Sequence, residues 1–533
     1  MYPPGTAFPV YCLACYRSDH WNPFAFATEY DLKKPFFAQF KNLKSRVPRA
    51  ALVRQGDITG SEYCNRASYN KDCYLLVRAN YNELCLYSYT LWESRDSVDC
   101  FNVHKSELTY QSIDCVECYR VQYCQESRLC RDSYFLFDCR NCNDCIGCVG
   151  LRNKQYHILN CPYSKEEYER KKEELHLNTA SGRSTIAEHF NALSARIVRE
   201  ATIKTNCRNS TGNWLDDCKD VQNAYQSRSV ENGKDLLSII EAKDCMDYTY
   251  WGRASELIYE TSNCGYGCSR IRFTNESWDG CHDLTYCDNC YSSSNLFGCV
   301  GLRSKEYCIL NKQYEKEAYT ALIPKIIEQM RDVPYTDQKG RVYAFGEFFP
   351  SELSASPYNI TAAQEHFPLS EEAIREQGFS WEDFKDKEYQ QTKTWRELPD
   401  DIAPVDESFL NEILLCRTWD ESGGDRKVIE QHDCTKAFRL VPAELSFYKR
   451  MGIPLPQLCP NCRHYERLMK RTPLKLWSRV CQCAGTRSEN GVYTNTAPHH
   501  HGEGKCGNEF ETSYSPDRNE IVYCEQCYQA EVA

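Results

Sequence analysis

A 25-residue segment of this chain occurs twice. GCVGLRNKQYHILNCPYSKEEYERK, starting at Gly147, matches GCVGLRSKEYCILNKQYEKEAYTAL, starting at Gly298, at a constant offset of 151 that aligns Cys148 with Cys299, Tyr156 with Tyr307 and Asn160 with Asn311. A match at one fixed spacing is the mark of duplicated architecture. Two large units therefore stand in tandem, each ending in the same signature followed by a helix. With 533 residues the chain also has length for several buried cores, which excludes a single small module.

Within the first unit, short runs rich in β-branched and aromatic residues recur beside cysteines: DCYLLV from Asp72, LCLYSYT from Leu84, DCFNV from Asp99, ECYRV from Glu117, DSYFLF from Asp132 and DCIGCV from Asp144. Asn, Asp and Ser bound each run, which is the grammar of strands and turns. The second unit repeats the theme less cleanly in DCKDVQNAY, DCMDYTYWG, SNCGYGC and CDNCYSSS. Repeated short strands with regular turns predict a mainly β protein with two tandem Cys/Tyr-rich β-solenoid-like units. The segments SKEEYERKKEELH and KEAYTALIPKIIEQM change to helical periodicity and are expected to cap the arrays. The expected layout is a partial zinc ribbon over 1–24, a linker over 25–60, unit 1 over 61–161, a capping helix within 162–200, unit 2 over 201–311, a capping helix within 312–335, an acidic linker over 336–408 that packs on its neighbours, and tandem zinc ribbons over 409–533.

The chain has 34 Cys, 37 Tyr and only 5 Met. No basic n-region followed by an apolar h-region opens it, and no run approaches membrane-spanning length, so the expected setting is the reducing cytoplasm without membrane association. There, cysteines serve as metal ligands or buried thiols rather than as a disulfide framework.

Ligand spacing is clearest at the C-terminus. Cys459 and Cys462 form a C-x-x-C knuckle preceded by Cys416 and Cys434, and Cys524 and Cys527 form another preceded by Cys481, Cys483 and Cys506. Four thiolates suit one tetrahedral zinc ion, and a two-residue gap lets both cysteines of a knuckle face it. About two Zn2+ per chain are expected. For the second ion either Cys481 or Cys483 completes the set, and His499, His500 and His501 read as a solvated loop.

The ending SYSPDRNEIVYCEQCY, from Ser513, aligns without a gap with the opening MYPPGTAFPVYCLACY, placing Cys12 on Cys524 and Cys15 on Cys527. Cys12 and Cys15 thus read as one knuckle of a ribbon whose upstream pair is missing; either the sequence begins late relative to that module or another segment donates two thiolates, and the first is favoured. These segments, with FRLVPAELSFYKRMGIPLPQLCPNCRHYERL and the paired GCVGLR boxes, resemble the uncharacterised zinc-ribbon repeat proteins of candidate-phylum bacteria over nearly the whole chain. The resemblance implies treble-clef-like or ribbon-like zinc modules flanking a Cys-rich repeat region, and it carries no assigned activity. The missing first knuckle departs from that pattern and puts metal binding by Cys12 and Cys15 in question.

Other patterns admit sharper readings. Cys139, Cys142, Cys145 and Cys148 share C-x-x-C spacing with iron–sulfur ligation, but the internal copy carries Cys290, Ser293, Leu296 and Cys299 there. Packing explains a position that accepts Ser and Leu more simply than an iron–sulfur cluster does. Net charge is −11, yet Lys436 to Val480 carries ten basic and two acidic residues. Arg463, Arg467, Lys470, Arg471, Lys475, Trp477 and Arg479 read either as a solvated, strand-rich ribbon face or as a groove for RNA or DNA. No phosphate-binding loop, dinucleotide fingerprint, metalloprotease helix or nucleophile elbow occurs, which weighs against an enzyme while leaving Cys–His chemistry open. The expected function is a zinc-stabilised, non-enzymatic scaffold presenting a β-repeat surface to a protein partner; the alternatives are nucleic-acid binding through 436–480, and thiol redox or metal handling.

Overall fold

A computed structural model describes residues 2–532 except 247, 248, 250, 251, 259 and 384–387. Asp247, Tyr248, Tyr250 and Trp251 of the DCMDYTYWG run therefore lie outside the described residues. The protein is mainly β, and its body is a parallel β-solenoid in two units.

In unit 1 one coil is a dozen residues of chain: Asn65 pairs with Val77, Val77 with Tyr89, Tyr89 with Phe101 and Phe101 with Ile113. Its finer period is three. Every third residue from Arg66 to Asp144 sits in the left-handed region with φ between 46° and 59°, so each coil has four corners joined by three-residue sides. Left-handed backbone costs a non-glycine residue about 1–2 kcal/mol, and Asp and Asn, which tolerate it best, occupy many of the corners. Coil-to-coil hydrogen bonds offset that cost. Val77 N–H donates to Ser88 O at 3.1 Å and Tyr81 N–H to Ser68 O at 3.0 Å, and the pattern repeats along the stack.

One residue per side points inward. Cys64, Cys73, Cys85, Cys100, Cys115, Cys118, Cys124, Cys130, Cys139, Cys142, Cys145 and Cys148 all do so, their numbers differing by multiples of three, and all are buried. Ala67, Leu76, Ser88, Val103, Ser112 and Leu136 fill intervening inward positions. So narrow a coil admits side chains no larger than Leu, and several must also satisfy inward-facing backbone. Ser88 Oγ accepts from Cys100 N–H at 3.0 Å, Ser133 Oγ from Cys145 N–H at 3.1 Å, and Cys73 Sγ from Cys85 N–H at 3.5 Å. Cys115 Sγ and Cys130 Sγ in turn donate to carbonyls two residues before and nine residues after them, at 3.3 to 3.4 Å. Cysteine here is a small hydrophobe with a weak donor and acceptor. The unevenly spaced strands expected from the sequence reduce to this regular coil. Unit 2 is less regular. Ser294 pairs with Glu306 at the same interval as in unit 1, Lys204 pairs with Leu215 at one residue fewer, and Ala242 with Ser255 and Glu256 with Ser269 at one more.

The repeated signature is the solenoid terminator. Asn311, fully buried, accepts from Val300 N–H and donates to Val300 O, both at 2.8 Å, and Asn160 treats Val149 alike at 2.9 and 2.8 Å. The amide replaces the backbone of the coil that is not there. Gly147 and Gly298 stand at corners with φ of 66° and 63°. A Cβ at Gly298 would lie 2.7 Å from the Phe36 ring, and one at Gly147 would lie 2.8 Å from Leu159.

Phe36 belongs to the helix Phe36–Arg46, inside the segment expected to be a linker. Its Phe36, Phe37, Phe40 and Leu43 pack on Tyr286, Phe297 and Leu310 at the end of unit 2, with Ile326 and Met330 of the helix Lys316–Asp332. The helix Ala180–Ser194 packs Ile186 and Phe190 on Phe135, Ile146 and Ile158 at the end of unit 1, with Tyr168 of the helix Lys165–Glu174. Phe40, Leu43, Arg46 and Arg49 match Phe190, Leu193, Arg196 and Arg199 at offset 150. Each helix that leads into one unit thus closes the end of the other. The 336–408 segment packs on its neighbours, burying Leu353, Ile374, Ile402 and Val405.

Asn311→Ala leaves a buried N–H and C=O of Val300 unpaired and is expected to cost about 1–3 kcal/mol, more than Asn160→Ala at the less buried equivalent. Denaturant midpoints of the two variants measure this; equal, near-zero losses would show that the amide does not terminate the stack.

Candidate metal centres and the docking of their modules

Two C-terminal modules share one construction. In the first, Cys416 follows the strand Leu414–Leu415, Cys434 precedes its antiparallel partner Ala437–Phe438, and Cys459 and Cys462 stand at the start of the helix Pro460–Met469. In the second, Cys481 follows Trp477–Val480, Cys506 precedes the antiparallel Glu509–Thr512, and Cys524 and Cys527 bracket the start of the helix Glu525–Val532. In each set the four sulfurs lie within 4.8 Å of one another, and all eight cysteines are buried.

The residues fit a tetrahedral metal. Cys416 Sγ lies 3.7 Å from Cys462 Sγ and accepts from Cys459 N–H at 3.3 Å. In the second module Cys481 Sγ accepts from Cys524 N–H at 3.2 Å, at the same separation in sequence, and Asn508 Nδ2 donates to Cys524 Sγ at 3.4 Å. N–H groups aimed at sulfur stabilise thiolate, the ligating form. Hydrogen bonds from Cys416, Cys434 and Cys462 hold the Cys459 thiol well below its ordinary range. Either centre can hold one ion, and an all-thiolate tetrahedral set suits zinc.

The choice left open by Cys481-Gln-Cys483 is settled by geometry. Cys481 joins Cys506, Cys524 and Cys527, whereas Cys483 joins a third group with His499, His501 and Cys527. Two of the three histidines therefore depart from the solvated loop expected of them: His499 is only 7% exposed and His501 is half-buried, while His500 is exposed as expected. Sequence reasoning missed them because a long loop separates Cys483 from His499, and the C-x-C spacing was the only local cue.

Cys12 and Cys15 repeat the knuckle at the N-terminus, where Cys15 N–H points at Cys12 Sγ at 3.5 Å. Val10–Tyr11 pairs in parallel with Arg49–Ala50 as Val522–Tyr523 pairs with Arg199–Glu200. Both thiols are exposed, and among the described residues no third donor joins them. The four cysteines from Cys139 to Cys148 occupy successive sides of one coil, each turned to its own backbone carbonyls.

The basic stretch differs most from expectation. It begins as a helix rather than a strand-rich face, and Arg463, Arg467 and Arg471 are 2%, 1% and 7% exposed. They clamp the first module onto unit 1. Arg463 Nε lies 3.1 Å from Asp99 Oδ2, Arg467 lies 3.1 Å from Asp99 Oδ1, and Arg471 Nε donates to Asp114 Oδ2 at 2.8 Å. Arg463 also reaches Glu444 at 3.1 Å and covers the Tyr87 ring. Around them Leu86, Val98 and Tyr110 of unit 1 pack on Leu445, Phe447, Tyr448 and Leu455. Three of the seven side chains expected at a nucleic-acid face are thus committed to carboxylates inside the protein. Lys470 and Lys475 are exposed, and Trp477 and Arg479 are half-buried.

No protein family matches the chain, and no curated relative matches it either. Among the described residues no helix is long and apolar enough to cross a membrane.

Asp99→Asn removes the buried carboxylate partner of Arg467 and one of the two partners of Arg463 and is expected to cost about 3–5 kcal/mol, the usual penalty for breaking a buried ion pair from one side. Chemical denaturation together with proteolytic release of the C-terminal modules measures it. Unchanged stability and protection would show that water, not Asp99, solvates the arginines.

Proposed function

We propose that the protein is a metal-stabilised, non-enzymatic scaffold whose β-solenoid presents an extended surface to a protein partner, with zinc as the structural ion in the two four-cysteine centres. The observation that carries this reading is where the side chains point. The solenoid interior is filled and its thiols are tied to backbone, while the outer corners place like residues one coil apart in rows. Tyr69 and Tyr81, 48% and 52% exposed, stack at 4.8 Å with their planes 7° apart, and Lys71 meets Glu83 at 2.9 Å beside them. Rows of regularly spaced rings and charges on a rigid stack are what solenoids use to hold extended partners. The likeness to zinc-ribbon repeat proteins of candidate-phylum bacteria belongs to the same reading.

The burial of Arg463, Arg467 and Arg471 weakens the nucleic-acid alternative, and the enclosure of the array thiols, several of them also raised by burial, weakens the redox one. Burial pushes Cys64 and Cys245 up to about 12 and Cys100 and Cys218 up to about 11. Neutral, enclosed thiols make poor nucleophiles. Alkylation of the native protein at pH 8 is expected to label Cys12, Cys15 and Cys161 first, and Cys139 to Cys148 only at the rate of unfolding. Rapid labelling inside the coil would favour a redox role.

The scaffold reading itself is tested by retention of proteins from nuclease-treated extract on the immobilised protein. Tyr69→Ser with Tyr81→Ser is expected to reduce retention at least tenfold without changing the unfolding midpoint. Retention that vanishes with nuclease, or that survives these changes and matching changes on the outer corners of unit 2, would overturn the reading.

A further inference from the structure

Cys483, His499, His501 and Cys527 bring four donor atoms within 4.8 Å of one another, and Cys527 is also one of the four sulfurs of the second four-cysteine centre. We infer that the second C-terminal module holds two metal ions rather than one, joined by Cys527 as a bridging thiolate: the first in Cys481, Cys506, Cys524 and Cys527, the second in Cys483, His499, His501 and Cys527.

The hydrogen bonds around the histidines carry the argument. A ligating imidazole presents one nitrogen to the metal and gives the proton on the other to a fixed acceptor. His499 does both: Nε2 lies 2.7 Å from Glu531 Oε1, and Nδ1 lies 3.0 Å from Cys483 Sγ. Glu531 is held in place by Tyr493 Oη–H at 2.7 Å and by Thr496 N–H and Oγ1–H at 2.9 and 2.8 Å. A carboxylate so fixed takes the Nε2 proton and leaves the Nδ1 lone pair facing the cluster. His501 uses the opposite nitrogens to the same end. Its Nδ1 lies 2.8 Å from Gly504 O, which can only accept, so the lone pair on Nε2 faces Cys527 Sγ at 3.4 Å. Cys483 Sγ accepts from Asn495 Nδ2 at 3.2 Å, and Asn495 Oδ1 accepts from Tyr523 Oη–H at 2.7 Å. Two imidazole lone pairs and two thiols therefore converge, each with its outer partner in place.

This donor set, two soft sulfurs and two imidazoles, suits tetrahedral zinc, with Zn–S near about 2.3 Å and Zn–N at about 2.0–2.1 Å. The inference does not depend on the scaffold reading. A Cys483–His499–Glu531 row would also serve a nucleophilic cysteine, but Cys483 is fully buried, and that arrangement gives no reason for His501 to aim at Cys527.

The metal content of the full chain purified with Zn2+ as the probe, compared with its variants, decides the matter. His499→Gln with His501→Gln is expected to lower zinc by one ion per chain, and Cys416→Ser to lower it by one independently. Zinc content unchanged by the histidine changes, or rapid alkylation of Cys483 in the zinc-loaded wild type, would overturn the second ion. Should the histidine variant fail to fold, wild-type protein loaded with 113Cd gives the same decision. Scalar coupling between two 113Cd resonances is expected, because the nuclei share Cys527. Uncoupled resonances throughout would overturn the bridge.

Discussion

The coil has three-residue sides, and everything else in the body answers to that dimension. A side so short turns one residue in three inward, into a space that larger side chains cannot enter, and it leaves some of the inward residues' N–H groups to be met from the interior. The residues that satisfy both demands are few. Ser offers a strong acceptor and little apolar surface, Ala, Val and Leu offer the reverse, and Cys offers some of each. The enrichment in cysteine is thus a packing solution over most of the chain, and the four-cysteine clusters stand outside the coils. The same dimension places a corner at every third residue, which is why Asp and Asn recur at one position of the triplet and cysteine at another.

A parallel solenoid cannot end without exposing a coil's worth of hydrogen-bonding groups. Here the C-terminal end of each unit is met twice over. Asn160 or Asn311 bonds the last coil through a side-chain amide, and a helix pair then covers it. Because the Phe36–Arg46 helix closes unit 2 and the Ala180–Ser194 helix closes unit 1, neither unit is complete without chain that belongs to the other. The duplication is therefore structural as well as historical. Arg49 on the Asp288 carboxylate at 2.5 Å ties the segment that leads into unit 1 to unit 2 through another buried pair.

Much of this was legible in the sequence. The offset of 151 located both terminators, and the C-x-x-C knuckles with their upstream cysteines named the first four-cysteine set and all of the second but the choice between Cys481 and Cys483. The coil itself was also written there and was missed: from Cys64 to Cys148 every cysteine number differs by a multiple of three, a period that a search for alternating strands averages away. The Phe36–Arg46 helix was hidden because its partners, Tyr286, Phe297 and Leu310, belong to the far end of the other unit. The arginines after Cys462 were misread for a related reason. A basic helix beside aromatic residues has the same composition whether it faces phosphate or a buried carboxylate, and the carboxylate, Asp99, lies in the first unit, most of the chain away. His499 and His501 required knowing where Glu531 and Gly504 fall, which spacing alone does not tell.

The metal modules and the solenoid are energetically coupled. Each four-cysteine set joins a hairpin to the start of a helix, and an ion held there would add to the stability that its core supplies. In the first module that helix begins at the Cys459–Cys462 knuckle and carries Arg463 and Arg467 from its first and second turns to Asp99. Loss of the ion would free the helix start, withdraw both guanidinium groups, and leave Asp99, which is fully buried, as an uncompensated charge on the face of unit 1. Leu86, Val98 and Tyr110 would lose their cover at the same time. The four-cysteine centre of one module thereby anchors the helix that covers a charged and hydrophobic solenoid face with no metal ligand in it.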